Sequence, residues 1–180
     1  VSGPLMMVYW LRDLNFDYIE LAILINVSQL AGLFSLRYWG AKIDEHGTYS
    51  TIRLSSFTIA ILPLLWVGLF YVPSELILPG AIIIASMASL MFSGRALALD
   101  NRLYEHMRSK NMIKVTSNRI FYRGLYIFLG GLIGGIITRD ELGLSELQFL
   151  GTTLHAVMIF STLLRLVVWL AFLRSKKAQI

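Results

Sequence analysis

The sequence predicts an all-α fold, a polytopic bundle of transmembrane helices, and three observations carry that prediction. Hydrophobic residues make up 56% of the 180 and charged residues only 15%, against roughly 25% charged in ordinary soluble domains. Mean hydropathy is +0.66. The charges are also spaced so that five long runs contain none: 21–36, 54–74, 76–94, 124–138 and 147–164. A helix needs about 20 mostly apolar residues to cross a hydrocarbon layer roughly 30 Å thick, and flanking Lys or Arg extend a shorter run by snorkelling. Five complete spans follow, at about 17–37, 54–72, 79–98, 119–138 and 147–172.

The third observation is the sidedness of charge. With 11–20, 72–79 and 138–146 on one side of the membrane, that side holds Arg12 and Arg139 against seven acids. The other fourteen of the 16 basic residues fall opposite, a strong positive-inside signal. The turn 38–53, the loop 99–119 and the C-terminus are therefore expected in the cytoplasm, and the chain in the cell membrane as a multi-pass protein. The net charge of +5 reads as this orientation signature rather than as a nucleic-acid surface, and no nucleic-acid partner is expected. There is no Cys, so neither a disulfide framework nor a thiolate metal site is available; no metal or cofactor is expected.

Taken in order, 1–11 is charge-free and contains Gly3-Pro4. It reads as the tail of a sixth span whose beginning is missing, and the chain as a fragment. Tyr9 and Trp10 suit a membrane–water interface; the competing reading puts Met6 and Tyr9 on the wall of a substrate cavity. Asn15 or Asp17 is placed to cap the next helix. Asp13, Asp17 and Glu20 fall at i, i+4 and i+7, which reads as an acidic solvated face ahead of a cation site.

In 17–37, Asn26 lies about 13 Å along the helix from Asp17, near the bilayer midplane. Gln29 and Gly32 continue its face. An unpartnered amide in hydrocarbon is costly, so this face is expected to look into the bundle or a wet cavity. Interhelical packing is the first reading and a hydrogen bond to substrate the second. Span 54–72 is apolar nearly all round, with a kink at Pro63, and is expected to face lipid.

Span 79–98 repeats a small residue every fourth position, at Ala81, Ala85, Ser89 and Ser93, with Ser86 beside them, so this helix is expected to pack closely inside the bundle. Arg95 is the basic residue placed on a helix rather than in a loop. The stretch 100–119 is expected to lie along anionic headgroups. Span 119–138 carries two overlapping glycine motifs, Gly130 with Gly134 and Gly131 with Gly135, which predict tight packing. Tyr122 and Tyr126 share a face and could reach a cavity. His155 in the last span reads as a packing residue ahead of a ligand or proton relay. Trp169 with Arg174, Lys176 and Lys177 reads as an interfacial anchor.

Gly40, Asp44 and Gly47, with Arg53 beyond, resemble the cytoplasmic loop motif of the major facilitator superfamily. The family's basic residues after the acid and the second glycine are replaced by Glu45, Thr48 and Tyr49, a degeneracy typical of the motif's second copy. VSGPLMMVYWLRDLNF before the first complete span, PLLW in the second and FSTLLRL in the last also look like facilitator sequence. The resemblance covers essentially the whole chain. It implies a C-terminal half-bundle whose partner is the missing N-terminal half of the same polypeptide, related by an axis along the membrane normal. It further implies that the partial span and 79–98 line a central cavity, that 17–37 and 119–138 meet the other half, and that 54–72 and 147–172 face lipid.

The function so implied is secondary active or facilitative transport of a small-molecule substrate by alternating access. Gly40 would let the loop pack closely, and Asp44 would pair with Arg95 at the cytoplasmic face in one state. Asn26, Gln29, Ser86 and Ser89 suit a polar, uncharged or amphipathic solute. The chain carries no HExxH, no GxSxG and no paired midplane carboxylates, so an enzyme is not expected. The alternative is a non-transporting scaffold or sensor on the same fold.

Overall fold

The computed structural model describes residues 5–106, 112–137 and 153–173. Among these, every regular element is helical. Five helices appear in chain order: α1 (Met6–Val8), α2 (Tyr18–Leu69), α3 (Ser74–His106), α4 (Met112–Ile137) and α5 (Thr153–Val168). Wider π-helical turns continue α1 over Tyr9–Asp13 and α5 over Trp169–Leu173. Several expectations lie outside the described residues: Gly3-Pro4, the acidic stretch around Arg139, the middle of the loop 99–119, and the Arg174, Lys176 and Lys177 part of the anchor.

The break between α1 and α2 is local chemistry. Leu14 and Phe16 donate back to the Tyr9 and Trp10 carbonyls, each at 3.0 Å, and Asn15 takes a positive φ of 53°, which Asn tolerates better than most residues. Asp17 then opens α2 in extended conformation. Its Oδ1 accepts the Glu20 N–H at 2.6 Å while Glu20 Oε2 accepts the Asp17 N–H at 3.0 Å, a reciprocal capping box. This corrects the expected acidic face. Asp13 belongs to the preceding turn, and Asp17 and Glu20 are committed to the helix end.

The 52 residues of α2 contain a single non-helical residue, Gly47, at φ 80° and ψ 161°. There the chain reverses. Leu24 shares a core cluster with Trp66 and Leu69, and Ile43 shares another with Ile52; a straight helix at 1.5 Å per residue would hold Leu24 and Trp66 about 63 Å apart. The polar stretch 38–53 is therefore no extended turn. Helix runs through it on both sides, and the reversal is confined to one glycine.

A tight turn leads into α3, with Tyr71 N–H on the Gly68 carbonyl and Val72 N–H on that of Leu69, both at 3.2 Å. Helix α3 begins at Ser74, ahead of the expected Pro79, which sits inside it. Missing its N–H, Pro79 forfeits the ladder bond to the Glu75 carbonyl in the second turn, a local weakening of the helix. Gly32 of α2 lies against Ser89 and Ser93, and Gly94 lies against the Trp39 indole. So α3 runs alongside the first arm of α2 in the same direction. Helix α5 crosses the second arm: Arg165 reaches the Ile59 carbonyl at 2.9 Å and Trp169 the Arg53 carbonyl at 3.0 Å.

These contacts give the bundle two ends. The far end gathers Tyr9, Leu14, Phe16, Leu24, Trp66, Leu69, Ala81, Ala85, Leu154 and Met158 into the main core cluster. The turn end packs Ile43, Ile52 and Ala98 beside Gly47. The second arm of α2, expected to face lipid, is instead central: Ile52, Ile59, Ala60, Leu62, Pro63 and Trp66 are buried. A helix apolar all round is suited to contact on every side, whether from lipid or from other helices, and here α3 and α5 take much of that surface.

Three helices are long and apolar enough to cross a membrane: Tyr18–Leu69, Ser74–Tyr104 and Leu154–Ala171. Helix α4 is not among them; Lys114, Arg119 and Arg123 shorten its charge-free part. It is also sparsely packed, tied to α3 by an Arg119–Asp100 ion pair at 2.6 Å. Gly130 and Gly134 are its buried positions. A Cβ at Gly135 would meet no described atom within 4 Å, so only the first of the two overlapping glycine motifs sits in a packed surface.

Candidate functional site

Three polar constellations interrupt the apolar bundle. At the far end His155 and Tyr9 are both fully buried. Tyr9 Oη donates to the Trp66 carbonyl at 2.9 Å and lies 3.3 Å from His155 Nε2. A carbonyl only accepts, so the single hydroxyl proton is spent there. His155 Nε2 must then carry a proton and donate to Tyr9. The ring of Phe70 stands edge-on to His155 at 4.9 Å and that of Tyr9 at 5.6 Å. This chain of donors ties α1's extension, the second arm of α2, and α5 together. Tyr9 is enclosed in the core, with Met6 partly buried beside it.

The second constellation sits nearer the turn end, between α2, α3 and α5. A cavity of about 350 Å³ is lined by Ser56, Ile59, Phe92, Arg95, Ser161, Leu164, Arg165, Val168 and Trp169. Two guanidiniums from different helices enter it. The Ser56 hydroxyl is buried without a hydrogen-bond partner, and the lining contains no carboxylate. Arg95 and Asp44 belong to the same end of the bundle, but they form no ion pair; Asp44 is exposed on the surface of α2. The partnership that sequence reasoning missed is Arg95 with Arg165. Its signal was present, since both interrupt apolar helices, but their proximity depends on how α3 and α5 pack around α2.

The third constellation is on the outer surface. Asn26 and Gln29 are exposed on the first arm of α2, while Gly32, expected on their face, is buried against α3. The step from Gln29 to Gly32 turns the surface from open to packed. Asn26 Nδ2 donates to the Ala22 carbonyl at 2.8 Å. Ser86 and Ser89 are half-buried, Ser89 pressed on Gly32. Tyr122 and Tyr126 are exposed on α4, stacked with centroids 6.4 Å apart.

The loop glycines separate in role. A Cβ at Gly40 would meet nothing within 4 Å, so the close approach expected of it does not occur. Gly47 alone occupies backbone space that demands glycine. Arg53 is exposed, and its carbonyl receives Trp169. Among the described residues no group of acids and histidines could hold a metal ion. Comparison with protein-family models, curated proteins and solved structures finds no match to this chain.

Proposed function

We propose that the chain is the C-terminal half-bundle of a facilitator-type membrane transporter, moving a small solute by alternating access between two half-bundles. The observation that carries the reading is the exposed Asn26–Gln29 pair on an otherwise apolar helix long enough to span a membrane. Facing lipid, two amides at that depth would be costly. Facing a second half-bundle across a wet cavity, they are ligands for a polar, uncharged solute. Exposed Tyr122 and Tyr126 extend the same kind of surface on α4.

The finer topology belongs to this proposal. The reversal at Gly47 supports counting the two arms of α2 as separate spans, and α4 adds another, for five in all. The partner half, the lipid bilayer and the solute are the interactions required, with no catalysis by the chain and no nucleic acid. Alternating access would alter the turn end most, bringing Asp44 and Arg95 together in one of two states.

This chain contributes no Cys, so with any cysteine of the partner half replaced the test is direct. Single Asn26→Cys and Gln29→Cys variants of the full-length protein are placed in vesicles and treated with a membrane-impermeant thiol reagent. Both should label, and a transported solute should slow that labelling several-fold. Val27→Cys and Phe34→Cys, exposed apolar positions turned away from the Asn26–Gln29 face of the same arm, serve as the lipid reference. If Asn26→Cys and Gln29→Cys stay as unreactive as that reference, the transporter reading is lost and a scaffold on the same fold replaces it.

A further inference from the structure

We propose that the cavity between α2, α3 and α5 binds a phosphate-class oxyanion, clamped by the guanidiniums of Arg95 and Arg165 and the hydroxyl of Ser56. The inference does not depend on transport; it follows from the contents of the cavity.

Arg95 and Arg165 approach from α3 and α5, so each brings its charge toward the other in a space bounded by apolar helices. Guanidinium is always charged at working pH, and its planar fork matches the oxygens of phosphate. Two such groups without a carboxylate in the lining raise a potential that only an anion relieves. Arg165 is held in place at the cavity by its bond to the Ile59 carbonyl at 2.9 Å. Arg95 makes no hydrogen bond or ion pair with a described residue. The nearby acid on its own helix, Asp100, is engaged by Arg119 at 2.6 Å.

The Ser56 hydroxyl supplies the independent sign. It is buried and unpartnered on the wall of this cavity, a state that costs free energy unless an acceptor arrives. The volume of about 350 Å³ lies in the range of small-ligand sites. The remaining walls are apolar, and Phe92, Leu164 and Val168 are half exposed to the outside of the bundle. An anionic headgroup with its acyl chains running down those side chains fits that shape. A free phosphate in the same cavity meets the same two guanidiniums and the Ser56 hydroxyl.

The test uses full-length protein and two probes, inorganic phosphate in detergent and nanodiscs of phosphatidylcholine with or without phosphatidylglycerol. A rise in thermal midpoint with phosphate alone identifies a soluble anion; a rise confined to phosphatidylglycerol identifies the headgroup. In either arm, Arg95→Gln with Arg165→Gln should weaken the response about tenfold or more, as expected for losing charge-assisted bonds. Arg37→Gln, an exposed charge nearer the same end, should keep it. Ser56→Val fills the cavity floor without touching a charge, and it should weaken binding even if the double variant folds poorly. No response in either arm overturns the proposal, as does a response that survives both the double variant and Ser56→Val.

Discussion

Gly47 holds φ 80° and ψ 161°, a region that costs a residue with a Cβ about 1–3 kcal/mol. Gly40, seven residues earlier, is helical and faces open space. The two glycines are equal partners in the loop motif and opposite in mechanics. Gly47→Ala should destabilise the protein by about 1–3 kcal/mol, whereas Gly40→Ala should be neutral or stabilising by up to about 1 kcal/mol, because alanine is the better helix former. Thermal midpoints of the two variants decide this, and a larger loss at Gly40 would contradict the assignment. The sequence marked the neighbourhood of the reversal but not its residue. Lys42, Asp44 and Glu45 signal water, and water reaches helix surfaces as readily as turns; only the backbone angle singles out Gly47.

At the scale of elements, the seam between α2 and α3 was half legible. The small residues Ala81, Ala85, Ser89 and Ser93 repeat at helical spacing, and they do meet α2: Ala81 and Ala85 in the core with Leu24, Ser89 and Ser93 on Gly32. What periodicity could not supply is the partner. Trp39 is buried over Gly94, its Nε1 donating to the Leu90 carbonyl at 2.8 Å, and these residues lie more than fifty apart in sequence. The central place of α2's second arm was hidden for a related reason, since lipid and neighbouring helices select the same apolar side chains. Gly94→Ala drives a methyl group into a fixed indole and should cost about 1–3 kcal/mol, the usual range for overpacking. Gly80→Ala meets only the flexible tip of Leu69, at 2.6 Å, and should cost distinctly less. Denaturation of the two variants side by side tests the seam; equal losses would mean that Trp39 yields and does not fix the helices.

Across the whole molecule, the first arm of α2, α3 and α5 run from the far end toward the turn end, and the second arm of α2 runs back. These directions put 11–20 and the Tyr71–Ser74 turn at one end, opposite the reversal at Gly47, an arrangement which the charge pattern alone had also implied. The far end carries Asp13, Asp17, Glu20 and Glu75. Toward the turn end come Arg37, Lys42, Arg53, Arg95, Arg102 and Arg119. Basic residues near span ends resist translocation and acids contribute little, so in the transporter we propose this asymmetry would place Gly47 on the cytoplasmic side. Ser74 and Glu45, both exposed, report the two ends. In intact cells an impermeant thiol reagent should modify Ser74→Cys and leave Glu45→Cys untouched; inverted vesicles should reverse the result. Labelling of both positions from one face would mean that the second arm of α2 does not cross. In that case the buried face of that arm would describe a hairpin resting in one leaflet, and the half-bundle architecture would fall with it.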